Sequence, residues 1–343
     1  MKLCMSAAAL MLLSIAFDAS ADAEVFTSLR VEGSSEPVPI HQMINGWEDN
    51  AYRGDYAYAD GVVRAGVAYD GWSVGVERRY HYLFKFSPDT VAWYEEVEQG
   101  ADNSTRKDID LDVQMFDARG VFAAWRYRAD NWSVQPSFTI YRLGHYQWGD
   151  LTGKSSEGEG TNASAYLDYY FDEDKILKYE AEEGDRFGYS LSVSGDWQID
   201  ENWFMSATID DLWNRLDFLS ASHRTGCINV GEVESSVCQQ DGVSGKDQLE
   251  DYTTSFHPTL RFAASYSPYQ VAADFVWHGP FHNLTLWKDW QIGRYKAGVS
   301  ASSLRQLGFR VSGDWFSLSY AADDLRIKHV RDTKLEANLF LRW

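Results

Sequence analysis

The sequence lacks any apolar segment long enough to span a membrane as a helix. Its one predominantly apolar run, residues 7–17, holds 11 residues, whereas a spanning helix needs about 20. The run follows a positive charge at Lys2 and precedes small residues that end at Ala23. This order predicts a signal peptide over residues 1–23 and an exported protein over residues 24–343. It excludes a helical membrane protein.

The chain is also poor in positive charge. It has 31 Lys and Arg side chains against 51 Asp and Glu, a formal net charge of −20. A nucleic-acid partner is excluded, because such proteins present basic surfaces to phosphates. The sequence contains no glycine-rich phosphate loop, no His-Glu-x-x-His zinc helix and no calcium-loop spacing. We therefore expect no cofactor and no metal site.

Cysteine is scarce, with three in the whole chain. Cys4 lies inside the predicted signal peptide, which leaves Cys227 and Cys238. Two cysteines in an exported chain predict a disulfide. Closing this short loop is worth on the order of 3 kcal/mol in the loop-entropy model.

Aromatic residues are abundant, at 15% of the chain with 14 Trp and 20 Tyr. Four tryptophans follow directly on short turn sequences such as Asp70-Gly71, in which Gly and Asn accept positive φ. A Trp ring beside a turn suits a membrane interface, with its apolar body in lipid and its N–H among the headgroups. Core tryptophans of a soluble β-sandwich are the alternative. The predicted interface aromatics are Trp72, Trp132, Trp203, Trp315 and Trp343.

Most of the chain alternates apolar and polar residues with a period of two. At its end, Leu339 and Trp343 fall on one face of a strand, and Glu336 and Asn338 fall on the other. Such segments are about ten residues long, the length that a tilted strand needs to cross a bilayer. The pattern predicts an all-β fold, a transmembrane antiparallel β-barrel that occupies residues 24–343.

The connections between these strands alternate in length. Short turns lie near residues 70, 130, 201, 268 and 313. Long polar segments, expected on the cell exterior, lie at residues 32–60, 87–106, 149–162, 172–185 and 219–253, the last containing the cysteine pair. Segment 172–185 fits either an outward hairpin or part of two further membrane strands. The predicted barrel has about 14 strands, within a range of roughly 12–16.

On these residues the chain resembles Gram-negative outer-membrane β-barrel proteins. The assembly signal of that class matches Glu336, Leu341 and Trp343, while Asn338 stands where glycine is usual. The resemblance implies insertion by the outer-membrane assembly machinery and contact with outer-membrane lipid and lipopolysaccharide. In size the chain is also similar to solitary autotransporter-like barrels.

Charge is distributed unevenly along the chain. Residues 284–343 carry 10 basic and 6 acidic side chains, whereas residues 24–283 carry 20 and 43. We expect the charges on non-lipid strand faces to point into the lumen, because an outward charge at the bilayer midplane costs roughly 2–4 kcal/mol. An acidic wall and a basic wall predict either a transverse field in an open pore or a lumen closed by ion pairs. The candidate lumen charges are Asp108, Asp110, Asp112, Arg294, Lys296 and Arg310.

The leading functional interpretation is non-enzymatic: a passive, porin-like pore with cation preference, or an autotransporter-like barrel. One alternative is a surface or structural interaction protein with a closed lumen. Another is an outer-membrane hydrolase. His278 and His282 are the nearest candidates for a lipase-like site, and the acidic doublets Asp210-Asp211 and Asp323-Asp324 are candidates for an omptin-like protease, although the sequence fixes no histidine against them. We interpret both histidines as parts of a solvated loop and predict no catalytic residue.

Overall fold

The fold was analysed in a computed structural model. It describes residues 23–48, 50–158, 162–174, 179–180, 184–230 and 243–343. The predicted signal peptide lies almost wholly outside these residues, and β1 begins at Ala23. Among the described residues, no helix is long and apolar enough to cross a membrane.

The described chain forms a closed antiparallel β-barrel of 14 strands. The prediction of a barrel with about 14 strands is therefore confirmed. The strands are β1 (Ala23–Ser35), β2 (Tyr56–Tyr69), β3 (Trp72–Phe86), β4 (Asp108–Trp125), β5 (Trp132–Ser155), β6 (Ala163–Phe171 and Arg186–Gln198), β7 (Trp203–Val230), β8 (Val243–Thr254 and Thr259–Tyr266), β9 (Val271–His278), β10 (Phe281–Ile292), β11 (Tyr295–Ser302), β12 (Leu307–Ser312), β13 (Phe316–Ala322) and β14 (Asp332–Arg342).

The barrel closes between its first and last strands. β14 pairs with β1 from Glu24 opposite Arg342 to Ser34 opposite Asp332. At the end of this ladder, the Ala23 and Trp343 backbones exchange hydrogen bonds. Closure pairs the first strand with the last, which a bilayer requires because it offers no water to backbone groups.

Two strands, β6 and β8, are each interrupted along their length. The outer half of β6 ends at Phe171 and its inner half begins at Arg186, yet both halves lie between β5 and β7. Within the interruption, Glu173–Asp174 pairs with Tyr179–Glu180 as a separate short ladder. The described residues of segment 172–185 thus add no spanning strand, because the segment begins and ends in the same strand, and the strand number is 14.

The two ends of the barrel differ. Both described termini and the short turns lie at one end, here called the turn end, including the turns near residues 70, 130, 201, 268 and 313. The opposite end carries the longer connections, with α1 (Ile40–Asn45) and α2 (Pro88–Gln99). It is called the outer end here, because the sequence predicts that the long segments lie on the cell exterior. Ser87 is the N-cap of α2, because its hydroxyl accepts a hydrogen bond from the Thr90 N–H. The predicted long segments hold more regular structure than expected, because they contain α1, α2 and the outer parts of β5, β7 and β8.

Along each spanning strand, successive side chains point alternately toward the lipid and toward the lumen. On β3, Trp72, Val74 and Val76 point outward and are exposed, whereas Glu77 and Arg79 point inward and are buried. This is the reverse of a soluble protein, in which exposed faces are polar. An outer surface of this kind is stable only against apolar lipid tails, so the burial pattern places the wall in a membrane.

Candidate functional site

A bulge in β7 brings two consecutive carboxylates into the lumen. The ladder with β6 shifts register between Leu191 and Val193, so that extra residues of β7 are left unmatched there. Asp211 adopts a left-handed conformation, with φ of 58°. In a regular strand, Asp210 and Asp211 would face opposite sides. The bulge turns both inward, and both are buried.

Asp211 is part of a buried ion-pair chain on one side of the lumen. Arg79 of β3 donates to Asp211 at 2.6 Å and to Asp60 of β2 at 3.0 Å. The Ser190 hydroxyl donates to the second oxygen of Asp211 at 2.6 Å. Arg79 is 3% exposed, and two carboxylates are what such a buried guanidinium needs for compensation.

Asp210 belongs to a second chain that spans the lumen. Arg261 of β8 donates two hydrogen bonds to the Glu32 carboxylate of β1, at 2.9 and 2.6 Å. Asp210 accepts from Arg30 of β1 at 2.8 Å and from Arg261 at 3.3 Å. In a barrel of 14 strands, β1 and β8 stand half a circumference apart. The bidentate pair between Glu32 and Arg261 therefore joins opposite walls.

A layer of aromatic rings lies on the outer side of these ion pairs. Tyr58 stacks on His278 and on Phe281, with ring centroids 4.9 and 4.7 Å apart. Phe116 packs against Phe256, which comes from the break in β8, at 5.0 Å. All five rings are buried. They fill the lumen between the ion pairs and the exterior.

Two cavities lie in the lumen toward the turn end. One of about 190 Å³ is lined by small polar residues together with Phe26, Phe122 and Asp210. The other, of about 360 Å³, is lined by Trp287, Glu336 and other residues of β7–β14. The lumen therefore keeps open space between the ion pairs and the turn end.

The outer end opens into a vestibule with an acidic inner face. Asp112, Asp150 and Asp168 are direct cross-strand neighbours on β4, β5 and β6. Burial, and then the neighbouring Asp168 and Asp112 carboxylates, raise the pKa of Asp150. Beside them, His223 contacts Asp168 through Nε2 at 2.7 Å and Glu250 through Nδ1 at 2.6 Å. Among the described residues, no group of three or more His, Cys, Asp or Glu could hold a metal ion.

The predicted lumen charges divide into three groups. Lys296 and Arg310 line the larger cavity and bind Asp289, at 3.1 and 2.5 Å. Arg294 lies in the exposed turn between β10 and β11, with its guanidinium over the Tyr295 ring, so its assignment to the lumen was wrong. The three acidic candidates, Asp108, Asp110 and Asp112, follow the lumen side of β4 but stand in the outer vestibule.

The acidic and basic candidates do not meet. Asp108 lies 3.6 Å from Lys154 on the neighbouring strand instead. The arginines whose ion pairs lie inside the lumen, Arg30, Arg79 and Arg261, were not singled out from the sequence. The available signal was a single charge between outward apolar neighbours, as in Leu29-Arg30-Val31 and Leu260-Arg261-Phe262.

The histidine prediction was wrong for His278. Its ring is fully buried, and its Nδ1 lies 3.0 Å from the Thr259 hydroxyl. His282 is exposed and contacts the Pro280 carbonyl at 3.2 Å. One histidine is part of the aromatic layer and the other belongs to the outer rim.

All five predicted interface aromatics, Trp72, Trp132, Trp203, Trp315 and Trp343, lie at the turn end and are exposed. Trp72 and Trp125 are cross-strand neighbours, with ring centroids 6.3 Å apart. Their anchoring role at the interface stays a prediction. The disulfide also stays a prediction, because Cys227 lies on β7 and Cys238 lies outside the described residues.

A closed barrel with an apolar exterior, a polar lumen and short turns at one end is the fold of a Gram-negative outer-membrane β-barrel protein. No family model and no curated protein sequence matches the chain. Among solved structures it is similar to a deletion mutant of the TodX monoaromatic hydrocarbon channel, at 10% identity over 94% of this chain and 89% of that one, with a TM-score of 0.44.

Two further solved structures show a weaker similarity to the chain. The Ralstonia pickettii toluene transporter TbuX has 11% identity over 94% of this chain and 88% of its own, with a TM-score of 0.31. The Escherichia coli outer membrane protease OmpT has 7% identity over 94% of both chains, with a TM-score of 0.20. At these values the likeness assigns neither an activity nor a substrate.

Proposed function

We propose that this protein is a non-enzymatic outer-membrane barrel whose lumen is closed by its own side chains, and that it acts through its extracellular surface. The observation that carries this proposal is the bidentate pair between Arg261 and Glu32 on opposite walls. The geometry favours this alternative over an open diffusion pore and over an autotransporter-like barrel, which needs a lumen wide enough for a polypeptide.

The strength of the closure follows from burial. Breaking a buried ion pair by removing one partner costs about 3–5 kcal/mol, and the pair of Arg79 with Asp60 and Asp211 is a second barrier of the same kind. The aromatic layer around Tyr58 and Phe116 adds apolar contacts that an opening must also break.

The non-enzymatic part of the proposal rests on the histidines. A general base needs a ring nitrogen free to accept a proton. Both ring nitrogens of His223 already contact carboxylates, so this residue suits a structural role in the vestibule. His278 and the Thr259 hydroxyl are buried within the closed lumen, where no lipid or peptide substrate reaches them.

Planar-bilayer recording tests the proposal. Folded protein, verified by different mobility of unheated and boiled samples in SDS, is reconstituted beside a general diffusion porin as the positive control. We expect no sustained conductance steps from the wild type under conditions in which the porin gives steps. Sustained, ohmic steps from the pure folded protein contradict the closed-lumen proposal.

A further inference from the structure

Three arginines stand side by side on the outward surface of the barrel. Arg78 of β3 is the direct cross-strand neighbour of Arg119 on β4, which in turn neighbours Arg142 on β5. We call these three residues the arginine row. Their outward direction follows from their sequence neighbours, because Glu77 and Tyr141 are buried in the lumen and bind each other at 2.5 Å.

The arginine row lacks the compensation that the lumen arginines have. Like charges directly opposite each other on neighbouring strands are destabilising. Within the described part of the chain, Arg119 and Arg142 have no ion pair, and Arg78 has only a long one, 3.6 Å to Asp117. In contrast, Arg215, another outward arginine, binds its own carboxylate partner, Asp217, at 2.8 Å.

The height of the row is set by the apolar band below it. On β5 the outward residues from Trp132 through Phe138 and Ile140 are apolar, and Arg142 is the first charge above them. Ten residues of strand extend about 33 Å, or about 25 Å along the membrane normal at the usual tilt. That distance equals the apolar band of an outer-membrane barrel, so Arg142 stands at the outer interface.

The Arg78 side chain is directed the same way. Its guanidinium lies 4.9 Å from the ring of Tyr80, one outward position further toward the cell exterior. An arginine that begins within the apolar band reaches the headgroup level in this manner. The charges of the row are thus gathered at the outer leaflet.

We propose that the arginine row binds the phosphate groups of the phosphorylated glycolipid of the outer leaflet, lipopolysaccharide. Guanidinium groups match phosphate oxygens in bidentate geometry, and adjacent strands space them by about 5 Å, so that several can converge on one headgroup. This site lies on the lipid side of the wall and is independent of whether the lumen conducts.

The test compares Arg119→Gln/Arg142→Gln with Arg215→Gln as the matched control, in lipid-free detergent. Thermal unfolding is followed with and without lipopolysaccharide. Without the lipid, the double variant is expected to be at least as stable as the wild type, because like-charge repulsion has been removed. With it, the wild type and Arg215→Gln gain unfolding temperature, and the apparent affinity of the double variant is lower by about tenfold or more.

A comparison of lipopolysaccharide with three other ligands identifies which molecule supplies the phosphate group. We expect dephosphorylated lipopolysaccharide, inorganic phosphate and phosphatidylglycerol to give at most a small part of the shift. An equal shift with any of these three overturns the assignment to a phosphorylated glycolipid. An unchanged affinity of the double variant overturns the assignment to the arginine row, and so does an equal loss in Arg215→Gln.

Discussion

At the scale of one residue, Arg79 shows how buried ion pairs connect the strands around the lumen. Its guanidinium is 3% exposed and contacts carboxylates on β2 and β7. It also lies 4.9 Å from the ring of Phe256 in the aromatic layer. One side chain therefore connects two strands, and connects the ion pairs to the rings above them.

Replacing Arg79 by Ala is expected to lower the free energy of unfolding by about 3–5 kcal/mol, because Asp60 and Asp211 are left buried without their cation. Urea titration of the folded protein in detergent, followed by tryptophan fluorescence, measures this change. Arg326→Ala is the control, since its pair with Asp324 is at the exposed rim. Equal stability of Arg79→Ala and wild type would show that the buried pairs are not as described.

The sequence predicts which charges face the lumen better than it predicts which charges meet. Alternation along β1 and β8 already puts Arg30, Glu32 and Arg261 on the non-lipid side. The contact between Glu32 and Arg261 depends on barrel closure, which brings together residues separated by 229 positions. Asp210 and Asp211 also need the bulge in β7, because simple alternation would send one of them into lipid.

At the scale of elements, interruptions of regular strands shape both ends of the site. The break in β8 supplies Phe256 to the aromatic layer. The break in β6 lets the outer half of that strand carry Asp168 beside Asp150. The length of these excursions was visible in the sequence, but their place within a strand was not, because polar residues in a loop and in a strand beyond the bilayer look alike.

The three neighbouring aspartates of the vestibule, Asp112, Asp150 and Asp168, are expected to make the stability of the protein depend on pH. The pKa of Asp150 is raised in the folded protein, chiefly by burial and then by neighbouring carboxylates. The folded state therefore binds this proton more tightly than the unfolded state. Its contribution to stability is present at low pH and is lost as pH rises from about 4 through the raised pKa.

Asp150→Asn is accordingly expected to weaken the decline of unfolding temperature between acidic and neutral pH. The measurement is a series of thermal unfolding curves for the wild type and the variant. Asp108→Asn, which changes an exposed carboxylate on the same side of β4, serves as the control. A variant curve parallel to that of the wild type across this pH range counts against the crowded aspartate row.

At the scale of the whole molecule, the features predicted from sequence and the features found only in the structure have different origins. Strand number, strand direction and the placement of short turns follow from local period and turn chemistry, which the bilayer enforces on each strand separately. The state of the lumen follows from contacts between opposite walls. Thus Trp72, Trp343 and the alternating strands indicate the membrane class. The contact between Arg261 and Glu32 is what favours the proposed closed barrel over a pore.

The most direct test of this closure is a double-mutant cycle between Glu32 and Arg261. Glu32→Ala, Arg261→Ala and the double variant are compared with the wild type by the free energy of unfolding. The cycle of Glu24 and Arg342, an exposed pair at 2.6 Å on adjacent strands, is the control and is expected to give a coupling near zero. For a buried pair across the lumen we expect a coupling energy of about 1–3 kcal/mol; additive single-variant effects, with no coupling, would contradict the closed lumen.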